Sequence, residues 1–250
     1  MNTKIGIFDS GIGGITVLKE CIKINPNYEY LYYSDSKHNP YGNKKEAEVM
    51  KYADYITKYL INKGCKIIII ACNTASNISV EFLRDKYKDI VFIAIEPAIK
   101  LAYDNTIDEG CLIMATPATI NSDRFKNLYK RYQKDNFYLL PCNGLANLIE
   151  ENKEEEIDKY LNENISLYKD KVACVVLGCT HYPLIKDKIA KVLPNIKFYD
   201  GSKGVANRLD KIIKENNYKG SKKTKIKFID TSNNSLKEER FYKIVEEKNE

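Results

Sequence analysis

The strongest constraint on how this chain can fold is a set of short, unbroken apolar stretches, typified by KIIIIA (66–71) and VACVVLG (172–178). The others are KIGIF (4–8), YEYLYYS (28–34), IVFIAI (90–95), CLIMAT (111–116), FYLLP (137–141), IKFYD (196–200) and IKFID (226–230). Most are apolar at successive positions instead of alternate ones, the pattern of strands covered on both faces. Between them lie amphipathic segments such as 44–62, where Ala47, Met50, Tyr55, Ile56, Tyr59 and Leu60 recur near helical spacing. This alternation predicts an α/β protein with mainly parallel sheets flanked by helices. Nine strands fit two smaller sheets better than one. The expected division is a first α/β domain from 1–97 plus 207–250 and a second from 98–206. Sheets of this kind carry ligands at the carboxyl ends of their strands.

Composition narrows the class further. With 44% hydrophobic residues the chain can bury a proper core. Its net charge of +6 is spread along the sequence without a block of basic residues, and the nineteen tyrosines are equally dispersed. A solvated lysine-rich surface is expected, not a nucleic-acid footprint. The seven cysteines form no C-x-x-C pair, which removes zinc-ribbon and thioredoxin motifs. The N-terminus does not resemble a signal peptide, and no apolar run approaches the roughly 18 residues of a membrane span. A cytoplasmic protein with reduced thiols and no membrane partner is expected.

Polar residues gather where the apolar runs end. In IFDSGIGG, Asp9 and Ser10 leave the first strand, and Gly11, Gly13 and Gly14 open the next helix. The dinucleotide fingerprint fails because position 16 is Thr, and there is no Walker lysine. The free N–H groups of this turn would suit an anion such as a carboxylate, and Asp9 is either a helix cap or a charged site residue. In IIIIACNTAS, Cys72 follows a buried-strand pattern and precedes a helix near Asn73 and Thr74. VVLGCTHYP repeats the arrangement with Cys179, Thr180 and His181, and Pro183 suits a first helical turn. A thiol at a helix N-terminus is expected to have a lowered pKa.

Two matched thiols have few chemical uses. A disulfide is disfavoured by compartment and by the polar residues around both. Zinc held by Cys72, Cys179, His181 and Asp9 has plausible ligand types but lacks a closely spaced pair, and no metal is expected. A Cys–His hydrolase leaves one thiol unexplained. Acid–base work accounts for both, since moving a proton from one face of a carbon to the other needs two groups of similar pKa on opposite sides.

DSGIGG, PYG (40–42), ACNTAS, TPAT (116–119) and GCTHYPL occur here in the order and spacing found in the cofactor-independent glutamate racemases, which the chain resembles over nearly its whole length. The resemblance implies two similar α/β domains facing each other, with the active site in the interdomain cleft and one catalytic cysteine from each side. It implies no cofactor and a small-molecule substrate, glutamate, one cysteine deprotonating the D and the other the L enantiomer. Cys72 and Cys179 match the two bases. Asp9 matches the carboxylate assisting the first; His181 and Glu150 match the groups assisting the second, with Glu151 one step from Glu150. Ser10, Pro40, Tyr41, Gly42, Asn73, Thr74, Thr116, Thr119 and Thr180 match substrate-binding positions. Asp35 has a family counterpart of less clear role, while His38 reads as a solvated loop residue. YYSDSKHNPYG is less typical of the family, and the N-terminal extension of some effector-regulated members is expected to be absent. Family members are often dimers, and nothing in this sequence selects an arrangement. An aspartate racemase of the same superfamily and a non-catalytic binding protein on this fold are the competing readings; histidine after the second Cys–Thr favours glutamate.

Overall fold

The computed structural model describes residues 2–106 and 109–246. β1 (Lys4–Asp9) leads through α1 (Ile15–Ile24) to β2 (Glu29–Ser34), then through α2 (Glu46–Asn62) to β3 (Cys65–Ile70) and α3 (Asn73–Lys86) to β4 (Val91–Ala94). A second run follows: α4 (Ile99–Asn105), β5 (Cys111–Ala115), α5 (Pro117–Asn121), α6 (Asp123–Tyr132), β6 (Phe137–Pro141), α7 (Leu145–Glu150) and α8 (Glu154–Ile165). It continues with β7 (Cys174–Leu177), α9 (Lys186–Val192) and β8 (Lys197–Tyr199), before α10 (Ser202–Glu215), β9 (Lys225–Asp230) and α11 (Ser235–Glu246). Every strand coincides with one of the apolar stretches, its ends within two residues.

The strands form two separate sheets, in the orders β4-β3-β1-β2-β9 and β6-β5-β7-β8. All seven pairings are parallel. Parallel strands need crossover connections, and the amphipathic segments supply them as helices on both faces. The unbroken apolar pattern is thereby explained. Ile5, Ile7, Ile67 and Ile69 enter the core beneath α1 and α10, while Phe8, Ile68 and Ile70 enter the core beneath α2 and α3. In the second sheet Leu112, Met114, Val175 and Leu177 face one core, and Ile113 and Val176 face the other. Successive residues of one strand thus anchor two different layers.

The second sheet is reached after β4, and the first is rejoined by α10, whose Val205, Ala206, Leu209 and Ile212 share a core with Leu18 of α1. The crossing back toward the first sheet runs from β8 to α10 through Asp200 and Gly201, and position 207 lies inside α10. α11 closes the first half by burying Phe241 against Tyr32 and Phe228, with ring centroids 5.0 and 4.1 Å away. Across the halves, Arg124 of α6 pairs with Glu81 of α3 at 2.9 Å and with Glu96 beside the crossing. Among the described residues no helix is long and apolar enough to cross a membrane.

Candidate active site

Each sheet has one place where consecutive crossovers leave in opposite directions, and that is where a crevice opens at the strand ends. In the first sheet it lies between β1, which connects to β2, and β3, which connects to β4. In the second it lies between β5 and β7. Ser10 and Cys72 follow the first pair of strands; Thr116 and Cys179 follow the second. The two crevices face each other as one cleft enclosing about 440 Å³ of empty space, its mouth included, and both thiols line it.

Cys72 is buried and caps α3, its Sγ accepting the Ala75 N–H at 3.5 Å and lying 3.7 Å from Ser10 Oγ. Beneath it, Asp9 is fully buried. Its Oδ2 accepts the Gly14 N–H at 2.7 Å and the Thr180 hydroxyl at 3.1 Å, while Oδ1 has no hydrogen-bond partner among the described residues. Burial holds the Asp9 carboxyl above the usual carboxylate range, against the pull of His181 and the Gly14 N–H. Burial, with the Asp9 charge second, also pushes the Cys72 thiol up. The sequence argument expected a lowered pKa from the helix N-terminus. That field is present in the Ala75 N–H, and desolvation outweighs it.

Cys179 has a different setting. It precedes a 3-10 turn over Tyr182–Ile185 that leads into α9, so it does not cap an α-helix as Cys72 does. Pro183 sits in that turn. The Cys179 Sγ is 3.8 Å from His181 Nδ1, and His181 Nε2 is 2.7 Å from Glu150 Oε2. Burial alone would lower the imidazole pKa, but the Cys179 and Glu150 partners prevail and raise it well above its ordinary value. For Glu150 burial likewise opposes ionisation, and His181 with Lys237 overcomes it, holding the carboxyl at about 2. Glu151, the neighbouring candidate, points outward to Asn147 and Lys153.

The glycine turn has a role the sequence did not suggest. Two of its N–H groups are taken by the protein's own carboxylates: Gly14 donates to Asp9 Oδ2 at 2.7 Å, and the Ile12 N–H donates to Glu150 Oε2 at 3.0 Å. A Cβ at Gly11 would sit 2.3 Å from the Glu150 carboxylate, and one at Gly13 would sit 2.7 Å from the His181 ring. The glycines let the second half's His–Glu pair press into the first half.

A hydroxyl cluster forms the opposite wall. Thr74 meets Thr116 at 3.0 Å and Thr119 at 3.3 Å across the cleft, and Thr116 caps α5 by accepting the Thr119 N–H. Of the expected binding residues, Ser10, Pro40, Tyr41, Gly42, Asn73, Thr74, Thr116 and Thr180 line the cleft. Thr119 stands behind this surface, as do Asp9 and Glu150. Asn73 Oδ1 is buried and has no hydrogen-bond partner among the described residues. Asp35 is buried, accepts the Tyr41 hydroxyl at 2.6 Å and lies 2.9 Å from His38 Nδ1, so it fixes the PYG turn. His38, expected to be solvated, is half-buried: its side chain keeps 35% of its surface exposed while its ring stacks on Tyr52 with centroids 4.0 Å apart.

Sequence reasoning missed Cys142 and Asn147, which line the cleft at the ends of β6 and in α7, and Lys237, which reaches Glu150. Cys142 occupies another strand-to-helix corner, in LPCNG, and the logic applied to Cys72 would have found it. No group of three or more His, Cys, Asp or Glu side chains that could hold a metal ion occurs among the described residues.

Two facing parallel sheets with a thiol at each switch point define a class, and the chain belongs to the family described as Asp/Glu/Hydantoin racemase, which matches residues 18–209. Its relatives narrow this to one activity. The glutamate racemase of Clostridium kluyveri is 42% identical over 250 residues, covering 97% of each chain, and that of Clostridium acetobutylicum is 41% identical over 245 residues, covering 96% and 94%. Among solved structures, glutamate racemase from Francisella tularensis in complex with D-glutamate matches with a TM-score of 0.81 at 33% identity, covering 98% of this chain and 93% of that one.

Proposed function

We propose that this protein is a glutamate racemase that interconverts L- and D-glutamate by proton transfer at Cα between Cys72 and Cys179. The observation that carries the reading is the placement of two thiols, one from each half, in the walls of a single cleft. The activity named for the relatives agrees with it. A thiolate on one wall removes the Cα proton, and the thiol on the other returns a proton to the opposite face.

The carbanion formed beside a carboxylate gathers negative charge, which fixed donors in a water-poor site must stabilise. To donate to the carboxylates, the Thr74, Thr116 and Thr180 hydroxyls turn from the bonds they make to one another, to Thr119 and to Asp9, while Asn73 Oδ1 supplies an acceptor for the ammonium. Asp9 and His181 act from behind the two thiols. Burial favours the thiol form of Cys72, which suits it to supply the proton when the Cys179 thiolate takes one from Cα. On the other side His181 Nδ1 lies 3.8 Å from the Cys179 sulfur, within reach of the proton that sulfur gains or loses. Product D-glutamate would serve peptidoglycan synthesis in the cytoplasm.

The test is wash-in of solvent deuterium. In deuterated buffer, L-glutamate should yield D-glutamate labelled at Cα, with the remaining L-glutamate largely unlabelled at early times. Unlabelled product, or faster turnover of aspartate than of glutamate, would overturn the reading.

A further inference from the structure

The Glu150 carboxylate is held from three distant parts of the chain. Oε2 takes His181 Nε2 and the Ile12 N–H; Oε1 takes the Lys237 ammonium at 2.8 Å. Lys237 belongs to α11, which is packed on the first sheet through Phe241. One turn further along the same face, Arg240 donates to the Ile149 carbonyl at 3.1 Å and the Glu150 carbonyl at 2.9 Å. These are the last carbonyls of α7, where a cation complements the helix dipole. By contrast Leu236, on the same first turn of α11, is 71% exposed. The start of this helix is therefore secured by its two cations reaching into the second half.

We propose that Lys237 is a positioning residue for the Cys179 half of the site. Lys237 adds to His181 in keeping Glu150 ionised against its burial, and fixes the carboxylate where Oε2 can hold Nε2. The imidazole proton then remains on nitrogen, and Nδ1 stays directed at the Cys179 sulfur. Arg240 holds the backbone that carries Glu150. The inference rests on the racemase reading for its kinetic consequence, and on the His181–Glu150 geometry for its structural one.

The experiment compares Lys237→Met and Lys237→Gln, both neutral, with Lys237→Arg, each confirmed folded by circular dichroism. Racemisation kcat should fall about tenfold in the neutral variants with KM within about twofold, and Lys237→Arg should recover most of the loss. Because the chain has only two histidines, the imidazole nitrogen and Nε2–H resonances of His181 can be followed by NMR without activity. A protected Nε2–H resonance is expected in the wild type and Lys237→Arg, and its loss or broadening in the neutral variants. An unchanged kcat in both neutral variants, a loss confined to KM, or an unaltered His181 resonance overturns the positioning role. A wild type that does not racemise glutamate would instead count against the function reading, and the imidazole resonance would still decide the role of Lys237.

Discussion

The two thiol sites are similar in topology and opposite in electrostatics. Cys72 caps a fourteen-residue helix and lies over a buried Asp9 whose carboxyl is held toward its neutral form. Cys179 precedes a short 3-10 turn and faces an imidazole held toward its charged form by Glu150 and Lys237. Equivalent strand-to-helix corners thus deliver the two proposed bases, while their neighbours hold an acid toward its neutral form on one wall and an imidazole toward its charged form on the other. A racemase has to accept the same substrate in mirror image. This difference indicates that matching two bases does not require matching their surroundings.

Removing either base tests the comparison most severely. Cys72→Ser and Cys179→Ser should each lower racemisation by about 10²- to 10⁴-fold, since an alcohol does not ionise as a thiol does. A near-wild-type rate in either variant, measured by circular dichroism of the amino acid, would remove that wall from the mechanism. The helpers come next. His181→Asn should cost about 10²-fold in kcat and Glu150→Gln about tenfold. If Glu150→Gln proved the more damaging, the order of action from Glu150 through His181 to Cys179 would be wrong.

Gly13→Ala and Gly11→Ala sharpen the contact between the halves. Each pushes a Cβ into the His–Glu pair and should destabilise by about 1–3 kcal/mol in denaturant unfolding, with reduced activity. A neutral result would show that the pair is free to retreat. The smallest effects concern pH and stability. Glu150 has a folded pKa of about 2 against an unfolded value near 4.5, so its stabilisation is complete above about pH 4.5 and lost as pH falls through the folded value. Asp9 is raised above 3.8, so its ionisation opposes folding as pH rises past that value, and the opposition vanishes below it. Glu150→Gln should therefore cost more stability near neutral pH than at about pH 3, and Asp9→Asn should show the reverse trend. Parallel trends in the two variants would erase the electrostatic contrast. A chelator should leave the racemisation rate unchanged; inactivation reversed by zinc would bring back a metal reading.

Strand positions were legible because burial on both faces leaves no polar position in the run, as in Ile67–Ile70. The two corners were legible because thiols stood where apolar runs gave way to Asn–Thr and Thr–His. Three things were not. The Cys72 thiol was assigned a lowered pKa from the helix end, because desolvation is a property of packing and has no local signature. Glu150 and Glu151 could not be separated by sequence; only the curl of α7 turns one inward and the other out. Lys237 and Arg240 carry no local signal, since their partners lie some ninety residues away in sequence. Asp35 and His38 show the same limit, with the Tyr41 and Tyr52 rings deciding what a polar loop residue does.

The fit of the glycine turn around Glu150 and His181 has a consequence for inheritance. Residues 11–14 are cast against side chains that the other half supplies, so neither surface can vary freely while its counterpart stays fixed. A chimaera taking one half from a distant relative should join well along the main chain and still misfit at this seam. Recombination within this protein is then best made by exchanging the glycine turn together with 150 and 181, treating them as one inherited block drawn from distant parts of the sequence.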